Sequence, residues 1–458
     1  MIFDPFDNIV HELGLLLGKP DDQMRCLVLF FLAYPIAYVF RKLNGKWKRH
    51  AYSIIVGIVM QTFMYRLGSA HYYILGAIVW VILTIFNRQR VAWIVMVVSM
   101  TYLSVRHIYR MINDYGGWSM DDTLFLMPLV ARISSLGFVY ADGGKDANSL
   151  SKEQEARKVT SKPTLIEICS YIAFPGSNIA GPFFEFRDYV DFIEQRGRYE
   201  KIPSSFGVSM KKLAVGLILI ALCIFIPMNF DLHSVITEKW FDEMPIYRQL
   251  AFWLVACFGI RCTYYVAWVI NDGSIMLSGL SYAGKTEHGV DKFDKICNVD
   301  ILGVELCTVP REGIGCWNAM IAEWLRLYIY ERIKGKEKGS NTFATVITNL
   351  VSGFWHGFYP IYYPTFLYLA FISEVGKDVY RIRHVFGFIP SPLSEILRNV
   401  LILSALNYTA TGMVFLELDK AFNAFRKYYF FGHVGLFGMF FVLRFYMVPK
   451  FQKKKKKD

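Results

Sequence analysis

The sequence predicts an all-α, polytopic integral membrane protein, and three observations carry that prediction. Of its 458 residues, 54% are hydrophobic and 17% aromatic, with a mean hydropathy of +0.32. Only 19% are charged, against about 25% in an ordinary soluble domain. Apolar runs of about 17 to 25 residues, the length that crosses a hydrocarbon core of roughly 30 Å, recur along the chain.

Residues 1–23 come first. Asp4, Asp7 and Glu12 stand where a cleaved secretory signal would be basic, while Phe3, Phe6, Ile9, Val10, Leu13 and Leu17 recur at helical spacing. The segment reads as a short helix lying along the membrane interface. Clear spans follow at 24–40, 51–67, 72–86, 91–105, 123–140, 212–228, 250–270, 366–375, 396–416 and 430–448. Runs 165–184, 317–333 and 343–355 are shorter or dotted with polar groups and are expected as short or re-entrant helices. The expected total is about eleven crossings.

The formal charge of +12 reports topology and does not point to a nucleic-acid partner. Arg41, Lys42, Lys46, Lys48 and Arg49 separate the first two runs, Arg88 and Arg90 the third and fourth, and the link at 69–71 has no Lys or Arg. By the positive-inside rule the odd-numbered loops face the cytoplasm. The basic tail, 449–458 with its run from Lys453 to Lys457, would face the same way, which requires an odd number of crossings. Lys455 and Lys456, fourth and third from the end, have the dilysine arrangement that retrieves membrane proteins to the endoplasmic reticulum. The endoplasmic reticulum membrane, with a cytoplasmic C-terminus, is therefore the expected location.

No internal repeat and no soluble domain is visible, so residues 1–458 read as a single membrane domain. The eight cysteines are scattered without a C-x-x-C pair and read as small buried hydrophobes. Polar connections lie at 141–163, 185–205, 230–244 and 271–316. The first contains a charged helix capped at Ser149 or Ser151. The last is long enough to be functional, and its Tyr282, Phe293, Ile296, Val299, Ile301 and Leu302 predict that it packs onto the membrane domain.

Several chemistries are excluded by motif. There is no G-x-S-x-G nucleophile elbow, no H-E-x-x-H zinc helix, no Walker loop, no dinucleotide fingerprint after a strand and no Asp-His-His-Cys cluster. What remains centres on L-V-S-G-F-W-H-G-F-Y-P-I-Y-Y at 350–363, where His356 is flanked by Phe354, Trp355 and Phe358. His11, His50, His71, His107, His233 and His384 fall in or beside loops or span ends, where a solvated ring is expected. An ionisable group at membrane depth is a candidate site; the competing reading is a histidine that merely hydrogen-bonds a neighbouring helix. Gly353 and Gly357 permit close approach, and Pro360 bends the chain just beyond.

Upstream, Trp317, Ile321, Trp324 and Tyr328 recur on one face of a helix opened by Asn318, 38 positions before His356. Asn318 is expected either as a helix N-cap or as a neutral hydrogen-bonding group for a substrate, free of the cost of a buried charge.

These residues carry a resemblance. W-N-A-M-I-A-E-W-L-R-L-Y-I-Y-E-R at 317–332 and S-G-F-W-H-G-F-Y-P-I-Y-Y at 352–363 resemble the two signature blocks of the membrane-bound O-acyltransferase superfamily, in its lysophospholipid acyltransferase branch. G-F-V-Y-A-D-G-G-K-D-A-N-S-L at 137–150 and F-P-G-S-N-I-A-G-P-F-F-E-F-R-D-Y at 174–189 are similar to its middle region, so the resemblance covers most of the chain. Gly353 stands where many relatives carry Ala.

The resemblance implies a tunnel in which a fatty acyl group passes from acyl-CoA to the free hydroxyl of a lysophospholipid, the reaction of phospholipid remodelling (the Lands cycle). It implies His356 as general base and Asn318 as the group that positions substrate, with acyl-CoA as co-substrate and neither cofactor nor metal. Lysophosphatidylcholine and lysophosphatidylethanolamine are the favoured acceptors. Burial keeps an imidazole neutral, general-base catalysis contributes roughly 10² to 10⁴ in rate, and a deep site excludes water from the thioester. Trp317, Trp355 and Phe358 would line the tunnel. Lys292, Lys295 and Arg311 are candidate phosphate contacts, with ordinary surface charge as the competing reading. Two alternatives stay open: a sterol, diacylglycerol or peptide acceptor within the superfamily, and a transporter or scramblase that uses His356 as a proton or substrate site. The oligomeric state is also open, a homodimer being one option.

Overall fold

The computed structural model describes residues 4–178, 181–335 and 339–452 and is almost entirely helical. The first helices are α1 (Asp4–Leu17), α2 (Asp21–Lys42), α3 (Lys46–Tyr65), α4 (Ala70–Ile85), α5 (Val91–Asn113), α6 (Thr123–Asp142), α7 (Lys152–Arg157), α8 (Leu165–Ala173), α9 (Phe186–Ile193) and α10 (Phe206–Asn229). Next come α11 (Ser234–Thr237), α12 (Lys239–Glu243), α13 (Ile246–Ser278), α14 (Ile301–Glu305), α15 (Pro310–Cys316), α16 (Ala319–Leu325) and α17 (Glu331–Lys334). The last are α18 (Thr342–His356), α19 (Tyr362–Arg381), α20 (Ser391–Phe415), α21 (Leu418–Lys427), α22 (Phe431–Phe441) and α23 (Val448–Gln452).

Among the described residues, seven stretches are long and apolar enough to cross a membrane: Asp21–Lys42, Lys46–Ile85, Val91–Asn113, Thr123–Asp142, Phe206–Thr237, Ile246–Ser278 and Phe431–Phe451. One of them, Lys46–Ile85, is two helices, α3 and α4, joined by a 3₁₀ turn at Arg66–Ser69. The expected spans at 366–375 and 396–416 fall in α19 and α20. Those helices carry Glu374, Lys377, Asp378 and Arg381, and Glu395, Arg398, Asn399 and Asn407, polar content that keeps them out of the seven. Among the described residues of 165–184 lie the nine-residue α8 and a 3₁₀ turn at Pro175–Ser177. α1 exposes Phe6, Ile9, Leu13, Leu15, Leu16 and Leu17 while Val10 is buried, the one-sided pattern of an interfacial helix. Phe3 and Lys453 to Lys457 lie outside the described residues.

The chain forms two units, Met1–Ile218 with Val266–Asn298, and Leu219–Tyr265 with Val299–Asp458. The first is centred on α6, which is buried on every face from Pro128 to Asp142 and packs along α5. Its Arg132 is fully buried. The guanidinium donates to the Tyr171 carbonyl (3.1 Å) and Ser177 Oγ (2.8 Å), and the rings of Phe125, Tyr171 and Phe184 cover it at 5.1 to 5.5 Å. α8 crosses α3 and α4 at close range, because Gly57 and Gly76 leave room for Ala173 and Ile172. His50 and His107, expected to be solvated, are buried at 5% and 6% exposure; His50 Nδ1 lies 2.6 Å from Ser170 Oγ. At His50 the Ser170 hydroxyl on α8 replaces water.

The connection at 271–316 begins later than its composition suggests, since α13 continues to Ser278. Ser274 and Ser278 donate to carbonyls of their own helix, and the buried Asp272 accepts from the Asn298 N–H at 2.9 Å. Beyond α13 a short antiparallel hairpin, β1 (Gly284–Lys285) and β2 (Asp291–Lys292), brings Tyr282 against Phe293, and Ile296 and Val299 are buried as expected, whereas Ile301 is half-buried and Leu302 is exposed. α7 is capped at Ser151, whose side chain accepts from the Gln154 N–H while the Gln154 side chain accepts from the Ser151 N–H. All eight cysteines are free thiols.

A Cβ at Gly57 would stand 1.7 Å from the Ala173 carbonyl oxygen, so Gly57→Ala must push α8 away from α3. The expected cost is about 1 to 3 kcal/mol, read as a lower melting temperature in detergent. Gly207→Ala, whose Cβ meets nothing within 4 Å, is the control and leaves the melt unchanged.

Candidate active site

His356 and Asn318 both belong to the second unit, and both stand where a helix stops being regular. His356 is the last residue of α18. The helix ends there because Gly357 adopts φ 124°, ψ −159°, a region open to glycine alone. Its N–H turns back to the carbonyls of Gly353 (3.3 Å) and Phe354 (3.2 Å), and Tyr363 Oη donates to the Gly357 carbonyl. α19 then returns along α18.

The imidazole is half-buried in an aromatic setting. One face stacks on Phe366, with centroids 4.9 Å apart and planes at 27°. Trp355 and Tyr362 meet it edge-on at 4.8 and 5.9 Å. Phe354 and Phe358, its flanking residues in sequence, pack against each other at 5.2 Å. Phe354 is two residues from His356 on the helix, and such residues point apart. No spacing signal marked Phe366 or Tyr362, which come from the returning helix.

The start of α18 is anchored by charge. Thr342 donates to Glu374 Oε2 (3.1 Å), and Glu374 also accepts from Lys377 (2.6 Å) and Arg444 (2.8 Å). Arg444 donates in addition to Asp378 (2.6 Å), which accepts from Arg381 (2.7 Å). Glu374 and Asp378 are almost wholly buried, and such carboxylates need this degree of pairing to stay inside.

Asn318 precedes α16 in the left-handed conformation, φ 46°, ψ 49°. Its carbonyl accepts from the N–H groups of Ile321 and Ala322, but its side chain makes no capping bond, so the N-cap expectation holds for the backbone only. Among the described residues, the buried Oδ1 has no hydrogen-bond partner. An unpaired buried acceptor costs about 1 to 3 kcal/mol, which makes this oxygen a candidate ligand contact. Trp317 lies outside the helix, with its ring 5.5 Å from Tyr264 and 5.7 Å from Tyr265. Ile321, Trp324 and Tyr328 form the buried face that their spacing predicts.

Trp324, fully buried, packs its ring 6.1 Å from that of Trp355, the residue next to His356. The helix that Asn318 opens therefore leans on the end of the helix that His356 closes. Between α16 and α17 the backbone widens into a π-helix at Arg326–Tyr330, a feature frequent at functional sites. Of the basic candidates, Lys292 pairs with Asp294 (3.0 Å) and Lys295 with Asp188 (3.3 Å) in the first unit, while Arg311 is exposed on α15 in the second.

The pattern of the membrane-bound O-acyltransferase (MBOAT) family matches residues 81–414, a range that contains both signature blocks. The chain is 31% identical over 455 residues to lysophospholipid acyltransferase 2 of Arabidopsis thaliana, covering 96% of each protein. It is 28% identical over 441 residues to lysophospholipid acyltransferase 1 of the same plant, covering 93% of this chain and 94% of that one. It is also 28% identical over 445 residues to the lysophospholipid acyltransferase of Schizosaccharomyces pombe, covering 91% and 85%.

Glycine positions around His356 differ in what they tolerate. A Cβ at Gly353 would meet Phe366 Cδ2 at 3.3 Å, a contact that a small shift of the ring relieves, whereas Gly357 holds a backbone conformation that strains any other residue. Gly357→Ala is expected to cost about 1 to 3 kcal/mol in thermal stability. Gly353→Ala should cost less, measured side by side in the same detergent.

Proposed function

The chain belongs to the membrane-bound O-acyltransferase family, and from that premise we propose that it transfers a fatty acyl group from acyl-CoA to the free hydroxyl of a lysophospholipid. Phosphatidylcholine- and phosphatidylethanolamine-type acceptors are the favoured lysolipids. The observation that carries the reading is the unpaired, buried Oδ1 of Asn318 on a helix packed through Trp324 and Trp355 beside His356. The relatives' names favour a lysophospholipid acceptor over a sterol, diacylglycerol or peptide.

In the proposed reaction a ring nitrogen of His356 takes the hydroxyl proton as the oxygen attacks the thioester carbonyl. The carbon–sulfur bond breaks, and the imidazolium returns the proton to the departing thiolate. The products are a diacyl phospholipid and free CoA. Phe366 and Tyr362 hold the ring plane, and the aromatic surroundings keep water from the thioester. Asn318 Oδ1 accepts a hydrogen bond from bound substrate, for which an amide N–H of the pantetheine arm is suited. Trp317 and Trp355 wall the tunnel, and Arg311 is the phosphate contact available within the same unit. The protein is multi-pass. We place it in the endoplasmic reticulum with about eleven crossings, a cytoplasmic C-terminus and acyl-CoA arriving from the cytoplasmic face.

The test is acyl transfer to a panel of lysophospholipids by membranes holding matched amounts of wild-type, His356→Ala and Asn318→Ala protein, followed by mass spectrometry. His356→Ala should lower the rate by roughly 10² to 10⁴, and Asn318→Ala by about tenfold or more. Transfer to no lysolipid by the wild type, or wild-type rates in His356→Ala, defeats the reading.

A further inference from the structure

We propose that Glu305 and Arg261 are positioning residues for acyl transfer, acting through Tyr265 and Trp317 to hold Asn318 in its left-handed turn; this rests on the reading of Asn318 as a substrate contact. Glu305 ends α14, and its carboxylate takes both arms of the Arg261 fork, Nε to Oε1 at 2.7 Å and Nη2 to Oε2 at 2.8 Å. Tyr265, one turn beyond Arg261 on α13, donates its hydroxyl to the same Oε1 at 2.7 Å. The remaining arm of Arg261 donates to Asn407 Oδ1 on α20. Asn399, also on α20, donates to the backbone carbonyls of Glu305 (2.9 Å) and Cys307 (3.0 Å).

Two routes lead from this hub to Asn318. Through side chains, the Tyr265 ring, fixed by its hydroxyl, lies 5.7 Å from the ring of Trp317, the residue before Asn318. Through the backbone, Asp300, which caps α14, donates its N–H to the carbonyl of Cys316, two residues before Asn318. A non-glycine residue keeps a left-handed conformation only where its surroundings over-determine it, and these two routes supply that constraint. Arg261 is 8% exposed, and a cation so buried holds its partner in a narrow set of geometries. Glu305 is not itself a proton acceptor in the reaction, since both of its oxygens are engaged by Arg261 and one also by Tyr265.

Glu305→Gln removes the charge and keeps the shape, and Tyr265→Phe removes only a hydroxyl. The second is the decisive variant should the first fail to fold. Both are compared with wild type and Asn318→Ala for transfer per folded enzyme, for KM, and for amide hydrogen exchange over residues 315–322 and 342–356. The expected result is a turnover about tenfold lower, as for a small misplacement of a substrate contact, with KM unchanged. Exchange rises at 315–322 and stays at wild-type levels at 342–356. Tyr265→Phe should not lower the residual rate of Asn318→Ala further, because the two act through one contact. Wild-type turnover and exchange in Tyr265→Phe, or equal fractional losses with and without Asn318, overturn the proposal. Wild-type transfer by Asn318→Ala overturns the underlying reading instead, and the proposal with it.

Discussion

Hydrocarbon offers no hydrogen bonds, so every backbone N–H and C=O at membrane depth must be satisfied from within the chain. Helix is the local solution, and this protein uses it almost everywhere. Chemistry needs the opposite condition, a polar group with spare capacity. At one helix end such a group is present: Asn318, whose buried Oδ1 has no hydrogen-bond partner among the described residues, stands before the first turn of α16. The proposed base, His356, stands on the last turn of α18. At such ends the ladder is already open, and a side chain can face a ligand while the backbone is finished locally, as Gly357 does by bonding back to Gly353 and Phe354.

The same constraint governs the buried cations, which are settled in two ways. Arg49 and Arg132 in the first unit turn to backbone carbonyls and aromatic faces. Arg261 in the second forks onto a carboxylate. Carbonyls belong to elements that are already in place, so the first arrangement ties neighbouring chain segments together. Paired carboxylates come from other helices and enforce mutual orientation with narrower geometric tolerance. That is the property a site assembled from several helix ends requires.

Much of this was legible in the sequence. The apolar runs located the spans of the first unit, and the spacing of Ile321, Trp324 and Tyr328 identified their buried face, because apolar periodicity records a helix's surroundings directly. Polar residues were harder to read. Those at 271–278 suggested a loop, yet serines that bond to their own helix cost it little, and α13 runs on to Ser278. Burial also proved a poor guide among histidines, since His50 and His107 are deeper than His356. What distinguished His356 was its motif, while the stacking partner Phe366 and the hub at Glu305 depend on pairings between distant segments that no local pattern encodes.

The π segment at Arg326–Tyr330 has a bearing on how such a helix can change over evolutionary time. A π turn holds one residue more than the α turn it replaces, and one residue is about 100° of rotation on an α-helix. Upstream of it, Trp324 is committed to Trp355. Downstream, Glu331 to Lys334 face their surroundings at an angle offset from the one an uninterrupted helix would impose. Insertions and deletions at this point therefore act as a rotary adjustment, re-aiming the distal turn relative to Trp324.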